Sequence, residues 1–384
     1  MNRPRILVLL AAILTIIVIA GIVYGQTRTT QSKQNKQSSD KPQPKPDEKS
    51  AKDAADSGTI SVVAVGDVML GTSYPDGLLP PNDGANELAE VAPILRTGDI
   101  TFGNLEGPLL DGGSTSKCTD PTRPCFSFRV PTRYGKYLKD AGFKVMSLAN
   151  NHALDFGFEG RRSSKATLDS LGIAHSGEIG DVARLDVKGK KIAVIAFSTY
   201  DTMANLNHLE AARAAVSKLA KEVDMVIVSF HAGGEGAGHQ HVPYGDEMFL
   251  GEDRGDLRKF THAMIDAGAI LAIGHGPHVV RGMELYKDHL IAYSLGNFAT
   301  YGPFNLNGPN GISLILEINL ASDGTFAGGK VYPTKQVKPG GPHLDPSNAI
   351  IPVLQQLSTE DFGDNGIQVD SDGNLSAKVS TKAR

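Results

Sequence analysis

The chain has 384 residues, with 38 basic and 42 acidic side chains and a formal net charge of −4. Residues 1–58 carry nine Lys or Arg against five Asp or Glu, which leaves 29 basic and 37 acidic side chains in the remainder. A nucleic-acid-binding protein needs basic surface to replace counterions, so the acidic body excludes that class of protein. The length allows one large domain or two ordinary ones.

The N-terminal segment has the pattern of a membrane anchor. Arg3 and Arg5 precede an uncharged apolar run over residues 6–24. About 20 apolar residues span a bilayer as a helix, and the flanking arginines keep the N-terminus in the cytoplasm. A cleaved signal peptide is the alternative, but the run is longer than usual for one and no Ala-x-Ala site precedes Gly25. We predict a single-pass transmembrane helix over residues 1–25, with the body outside the cytoplasm on either interpretation.

The next segment is predicted to be a linker, and the body behind it a single domain. Residues 26–58 are Gln, Lys, Ser, Pro and Asp with almost nothing apolar, so they cannot bury enough surface to fold. The C-terminal end becomes polar again, and we predict a tail over residues 351–384. Since no second linker interrupts the rest, we predict one folded domain over residues 59–350.

Within this body, apolar runs rich in β-branched residues alternate with stretches that have helical spacing. The strand-like runs cover residues 62–66, 101–105, 145–149, 191–197, 226–230, 269–273, 289–294 and 311–319. The helical stretches cover residues 87–95, 133–141, 163–171, 211–223 and 257–267. This alternation predicts an α/β body with layered sheets and outer helices. The run over 311–319 has an alternating pattern, which predicts an antiparallel and less buried strand.

Five of the runs end in side chains that bind metals. These side chains are Asp67, Glu106, Asn151 beside His152, His231, and His275 with His278. Taken singly, each has an ordinary structural role as a turn former, a helix cap or a core histidine. Taken together, they lie at the carboxyl ends of strands, which meet at one edge of an α/β sheet. Carboxylate, amide and imidazole ligands suit two divalent cations of Mn, Fe, Zn or Mg, and we predict that site here.

Other polar residues near these runs have predicted roles in catalysis or substrate binding. If Asn151 is a ligand, the adjacent His152 projects elsewhere and suits a proton donor or oxyanion stabiliser. Asp155, three residues later, is placed to orient His152. His239 lies in a Gly-rich segment that we predict to be a flexible, substrate-facing loop. Asn297 follows another strand and contacts substrate or makes the turn.

The two cysteines, Cys118 and Cys125, bracket a Pro-rich loop. Outside the cytoplasm such a pair is predicted to form a disulfide. The alternative is a zinc site, which needs four ligands, and the nearby sequence supplies no other two.

These motifs resemble those of the CapA family of poly-γ-glutamate capsule biosynthesis proteins, within the calcineurin-like metallophosphatase superfamily. The matching segments are residues 66–70, 103–106, 149–155, 274–278 and 293–298, and the resemblance runs from about residue 60 to residue 302. It implies a metallophosphatase-like sandwich of two facing sheets flanked by helices. Two positions depart from the superfamily pattern. Met69 stands where the first motif has His, and Pro277 adds a residue between the closing histidines.

The resemblance also implies roles for these residues and a function for the chain. The implied metal ligands are Asp67, Glu106, Asn151, His231, His275 and His278. The implied function is that of a membrane-anchored extracytoplasmic protein of capsular poly-γ-glutamate biosynthesis or export. Its expected partners are this or a related anionic polymer and the components of a membrane synthase. Two alternatives are open: a metal-dependent hydrolase of phosphoesters or amides in the cell envelope, and a non-catalytic scaffold of a synthase complex.

Overall fold

Two β-sheets form the centre of the structure, a computed structural model that describes residues 58–118 and 125–378. The strands are β1 (Ile60–Met69), β2 (Ile100–Leu105), β3 (Val145–Ser147), β4 (Ala174–Ser176), β5 (Val182–Val187), β6 (Lys190–Ser198), β7 (Met225–His231), β8 (Met248–Phe249), β9 (Glu252–Asp253), β10 (Leu271–His275), β11 (Met283–Tyr286), β12 (His289–Ala292), β13 (Asn297–Thr300), β14 (Ile312–Leu320), β15 (Phe326–Lys335), β16 (His343–Leu344), β17 (Gln368–Val369) and β18 (Asn374–Ser376). The α-helices are α1 (Ala92–Leu95), α2 (Gly135–Ala141), α3 (Gly157–Ser170), α4 (Leu209–Leu219), α5 (Leu257–Asp266) and α6 (Ile350–Phe362).

The first sheet has ten strands and the second has six. The first runs in the order β17-β18-β15-β14-β1-β2-β3-β4, with β13 beside β1 and β16 beside β15. Its strands β1, β2, β3 and β4 pair in parallel, whereas β14 pairs antiparallel to β1. The second sheet runs in the order β11-β12-β10-β7-β6-β5, with parallel pairing from β12 to β6. Each sheet therefore has a parallel centre whose strands end at one edge.

The two sheets face each other across a common apolar core. Along β1, Val62 and Ala64 belong to the core shared with the second sheet, where Ile227 is one of their neighbours in the cluster. Val63 and Val65 point to the opposite face and belong to the cluster that includes residues of α1 and α2. Alternate side chains of a strand point to opposite faces, so a strand buried on both faces is apolar throughout. Helices α4 and α5 cover the outer face of the second sheet in the same way. This mixed architecture confirms the predicted α/β class.

Two predicted elements differ in detail. The helical stretch over 87–95 is α-helical only in Ala92–Leu95 and is preceded by turns. Strand β14 is antiparallel, as its alternation predicts, but it is buried along most of its length. The prediction of a less buried strand was wrong because α6 and the second sheet both contribute to the core beside it.

The described residues contain no helix that is long and apolar enough to cross a bilayer. The predicted anchor over 1–25 lies outside the described residues, as does the predicted linker up to residue 57. Both remain predictions.

A disulfide links Cys118 and Cys125, the pair that the sequence favours, with their Cα atoms 5.3 Å apart. Residues on both sides of it contact the functional loops described below.

The folded unit extends beyond the predicted boundary at residue 350, so the prediction of a tail over 351–384 was wrong up to residue 378. Helix α6 buries Leu354 completely in the core between the sheets. Strand β18 then pairs with β15, and β17 pairs with β18. Only a few apolar residues, including Ile367 and Leu375, make these contacts. They are too widely spaced within polar sequence to give a strong periodic pattern.

We expect Leu354→Ala to lower the free energy of unfolding by about 2–5 kcal/mol, because the lost side chain leaves a cavity between the sheets. Gln356→Ala, on the exposed face of the same helix, is the control and should change stability by less than about 0.5 kcal/mol. Denaturant unfolding of both variants measures the difference. Wild-type stability of Leu354→Ala would mean that α6 is not part of the folded unit.

Candidate metal centre

The two parallel sheet centres bring their carboxyl-terminal side chains to one place. Asp67 lies in β1 where the register of its pairing with β2 and β13 shifts. Glu106 follows β2 directly, and its backbone N–H donates to the Val68 carbonyl at 2.9 Å. His231 and His275 end β7 and β10 and lie opposite each other in the parallel register. The strand topology therefore places candidate ligands from both sheets side by side.

At the centre of this group lie Asp67, Glu106 and His278, whose ligand atoms are all within 4.8 Å of one another. His278 Nδ1 is 3.1 Å from Asp67 Oδ2, and its Nε2 is 3.6 Å from Glu106 Oε1. Asn297 Oδ1 also lies 3.1 Å from His278 Nδ1, and the Asn310 amide donates to the His278 carbonyl at 3.2 Å. Asn297 thus contacts His278, and its predicted contact with substrate stays a prediction.

Two asparagines that sequence reasoning missed connect the ligands. The Asn104 amide nitrogen donates to Asp67 Oδ1 at 2.9 Å and lies 3.3 Å from His231 Nδ1. The Asn150 amide nitrogen donates to Asn104 Oδ1, also at 2.9 Å. Both asparagines are fully buried. The signal was available for Asn104, because residues two apart along a strand point to the same face and Glu106 is two residues on.

Burial and mutual charge fix the protonation of the carboxylates and of His278. Burial acts to raise the pKa of Asp67, but the hydrogen bond and charge of His278 outweigh it and lower that pKa to about 2. Burial raises the pKa of Glu106 well above its usual range, and the Asp67 carboxylate adds to this shift. Burial acts to lower the pKa of His278, yet Glu106 and Asp67 raise it to about 10. His278 is therefore protonated in the metal-free centre, and its positive charge stabilises the two buried acidic side chains.

Burial has the opposite consequence for the two strand-end histidines. It lowers the pKa of His231 well below its usual value and also lowers that of His275. Both imidazoles are therefore neutral, which is the form that binds a metal. His275 Nε2 donates to the Val65 carbonyl at 3.1 Å, so its other nitrogen, Nδ1, carries the free lone pair.

Several ligand atoms in this centre are buried and have no hydrogen-bond partner among the described residues. They are both carboxylate oxygens of Glu106, Oδ1 of Asn151, Nε2 of His231 and Nδ1 of His275. A buried polar atom without a partner is costly, and nearly all such atoms in native proteins are satisfied. Oxygen and imidazole donors of this kind are what a divalent cation binds. The residues present therefore fit a metal centre.

His152 and Asp155 form a hydrogen-bonded pair beside this group. His152 Nδ1 and Asp155 Oδ2 are 2.8 Å apart, and the Phe128 N–H donates to the same oxygen at 2.6 Å. The Phe128 ring stacks on the His152 ring with centroids 4.2 Å apart. Lys117 forms an ion pair with Asp155, and its Nζ donates to the Asn151 carbonyl at 3.1 Å. Sequence reasoning missed Lys117 and Phe128, although both flank the two cysteines.

The remaining singled-out residues lie elsewhere. His239 is partly exposed, and its ring packs on Phe249 with centroids 5.3 Å apart. Its carbonyl accepts a hydrogen bond from Arg281 at 2.8 Å, so its segment is fixed by contacts. Met69, at the position where the superfamily pattern has a histidine, is fully buried in the core on the helix side of the first sheet.

The family of the chain follows from comparison with known proteins. The model of the family "Bacterial capsule synthesis protein PGA_cap" matches residues 61–301, more than half of the chain. The chain belongs to this family, which confirms the resemblance found in its motifs.

Three relatives illustrate the match. PGA biosynthesis protein CapA of Bacillus subtilis is 30% identical over 258 residues, covering 62% of this chain and 63% of that protein. Capsule biosynthesis protein CapA of Bacillus anthracis is 27% identical over 261 residues, covering 62% of this chain and 59% of that protein. A "Probable polyglutamine synthesis accessory protein" of Mycobacterium tuberculosis is 29% identical over 299 residues, covering 64% of this chain and 75% of that protein. The match thus spans less than two thirds of either Bacillus protein.

Among solved structures, NAD nucleotidase of Haemophilus influenzae aligns with a TM-score of 0.39 and 12% identity, covering 80% of this chain and 57% of that one. A 5'-nucleotidase precursor of Thermus thermophilus aligns with a TM-score of 0.39 and 13% identity, covering 72% of this chain and 54% of that one.

We expect Glu106→Gln to abolish the stabilisation of the protein by Mn²⁺, because the variant keeps the shape of the side chain but loses its charge. A ligand at 100 times its dissociation constant stabilises the folded state by about 2.7 kcal/mol. Thermal unfolding with and without Mn²⁺, together with metal analysis of dialysed protein, measures the effect. The control is Glu222→Gln, a partly exposed carboxylate paired with Arg184, which should behave as wild type. Equal Mn²⁺ stabilisation in both variants would exclude Glu106 as a ligand.

Proposed function

We propose that this chain is a membrane-anchored, extracytoplasmic accessory protein of poly-γ-glutamate capsule synthesis or export, and that its folded body binds two divalent cations. Membership of the capsule synthesis family supports the biological role, as do the names of two relatives, a PGA biosynthesis protein of Bacillus subtilis and a probable polyglutamine synthesis accessory protein of Mycobacterium tuberculosis. The proposed partners are this or a related anionic polymer and the membrane components of its synthase. The observation that carries the metal proposal is the set of buried ligand atoms without partners, led by the two oxygens of Glu106.

The residues that would hold the cations are those that the strand ends bring together. Asp67, Glu106 and His278 form one compact group, to which His231 and His275 add neutral imidazoles from the second sheet. Asn151 adds an amide oxygen. Two carboxylates, three imidazoles and one amide suit a pair of cations better than a single one. When bound, a divalent cation supplies a Lewis acid that polarises a phosphoryl or carbonyl oxygen.

A second candidate function is hydrolysis of phosphoesters or amides in the cell envelope, and the His152–Asp155 pair favours it. Asp155 holds the Nδ1 side of the imidazole at 2.8 Å, and Phe128 fixes the ring plane. Nε2 is then the ring nitrogen left to give or take a proton at a substrate atom. A scaffold that only assembles a synthase needs no proton transfer, so a substitution of His152 separates the two functions.

The anchor is tested by fractionation. Full-length protein should stay with membranes after a high-salt wash, because an apolar helix of about 20 residues is held by the hydrophobic effect and not by charge. A chain that begins at Ser57 should be recovered in the soluble fraction. Recovery from the medium of protein whose N-terminus lies beyond residue 24 would show that the segment is a cleaved signal peptide.

Catalysis and assembly are separated by His152→Ala. If the protein is an enzyme, this variant should keep its metal content and its folding but lose turnover by about 10²–10⁴-fold, the usual effect of removing a proton-transfer group. The measurements are hydrolysis of phosphodiesters and γ-glutamyl peptides by purified protein, and polymer output from cells at matched protein level. His208→Ala, an exposed histidine near Asp201, is the control. Normal polymer output and unchanged turnover in His152→Ala would leave assembly as the function.

A further inference from the structure

The segment between β7 and α5, residues 232–256, forms a wall beside the histidine-bearing loop of the candidate centre. It begins directly after His231 and includes the short hairpin of β8 and β9. The Ala232 N–H donates to the His275 carbonyl at 2.9 Å, and the Gly236 N–H donates to the Pro277 carbonyl at 2.8 Å. Two backbone hydrogen bonds therefore join this segment to the loop that carries His278.

A buried ion pair between Arg281 and Glu247 holds this segment in place. Arg281, three residues after His278, is completely buried, and Glu247 is 7% exposed. The two guanidinium Nη atoms each donate to one Glu247 oxygen at 2.7 Å. The same guanidinium donates through Nε to the His239 carbonyl at 2.8 Å, and Glu247 accepts from the Gly234 N–H at 2.9 Å. Arg281 and Glu247 thus connect residues 234, 239 and 247 of the segment to the loop after His278.

The same segment carries a second ion pair, in which Arg254 Nη2 lies 3.0 Å from Glu235 Oε1. Arg254 is held through its backbone, because its N–H donates to the Glu247 carbonyl at 2.7 Å and its carbonyl accepts from Gly233 at 3.0 Å. Its Nη1 is buried and has no hydrogen-bond partner within residues 58–118 and 125–378.

Backbone contacts place this second ion pair beside the candidate centre. Glu235 directly precedes Gly236, whose N–H donates to the Pro277 carbonyl next to His278. Arg254 is hydrogen-bonded through its carbonyl to Gly233, two residues after His231. The second ion pair therefore lies beside the loops that carry His231 and His278.

We propose that the buried Arg281–Glu247 ion pair is a positioning device that fixes Glu235 and Arg254 beside the candidate metal centre. A fully buried ion pair is seldom more stable than apolar side chains of the same volume, so net stability is a poor reason for its presence. A bidentate Arg–carboxylate pair does fix direction and distance, which is what a charged wall beside a cation site requires. The purpose of the device rests on the proposed metal centre, but the device itself is testable in metal-free protein.

The test compares single and double substitutions. Glu247→Gln leaves Arg281 buried without its counter-charge and should destabilise the whole protein. The double variant Arg281→Met with Glu247→Leu removes both charges and should recover most of that stability. Its amide hydrogen exchange over residues 232–256 should nevertheless be faster by about tenfold or more, while exchange in β7 and β10 stays unchanged. A control that removes another buried polar pair of the second sheet, Glu284→Gln with Tyr293→Phe, should leave exchange over 232–256 unchanged.

The outcomes separate the positioning device from the metal centre. Wild-type exchange over 232–256 in the double variant would overturn the proposal, whatever the metal results. If that variant does not fold, Arg281→Lys, which keeps the charge but loses the two-point contact, takes its place, and wild-type exchange there overturns the proposal equally. In metal titrations, the double variant should bind Mn²⁺ about threefold to tenfold more weakly, because Glu235 no longer has a fixed place beside the cation. Wild-type protein that binds no Mn²⁺ would end the metal proposal and leave the exchange result to decide the role of the ion pair.

Discussion

Two buried carboxylates, Asp67 and Glu106, face the same small space at the edge of the first sheet, and the charge states of the neighbouring groups depend on their mutual repulsion. Neither is exposed to solvent. Two carboxylates this close together and buried away from water are not both charged without a nearby cation. In the metal-free protein that cation is His278. The raised pKa of Glu106 is the other response of the molecule to the same repulsion. Divalent metal would relieve it more completely than one imidazolium does.

The two-sheet architecture makes this concentration of polar groups possible. A single parallel sheet presents its strand ends along a line, whereas two facing sheets present them from two sides of one cleft. The carboxylates come from the first sheet and two neutral histidines come from the second. Asn104 links the two sets, since it contacts Asp67 and His231 with the same amide nitrogen. Its amide carries no charge, so it joins the sheets without adding to the repulsion.

The sequence was informative where a residue's role depends on its position at the end of a strand. Asp67, Glu106, His231 and His275 were predicted together because each ends an apolar run, and the parallel topology then forces their approach. The burial of Asn150 was not predictable, since Asn150 and Asn151 are consecutive and the sequence gives no indication of which one is buried. Asn104 could have been found from its position two residues before Glu106. The Arg281–Glu247 pair was also missed. Its members are 34 residues apart in the sequence, and neither lies in a periodic pattern.

The C-terminal region also shows where prediction from the sequence fails. Helix α6 was missed because its surroundings are polar, although its apolar face completes the core between the sheets. Composition reports the average over a segment, whereas burial depends on the few residues that face the core. Short edge strands such as β17 and β18 need only one or two apolar side chains to be held in place.

Asp67 and His278, which contact each other at 3.1 Å, are 211 residues apart along the chain. All the residues between them must be synthesised before this contact exists, and contacts so distant in sequence are formed slowly. During synthesis, a partly emerged chain therefore carries the acids and the asparagines without the histidine that closes the group. The centre therefore requires the chain as far as His278, and no fragment that ends before that residue possesses it.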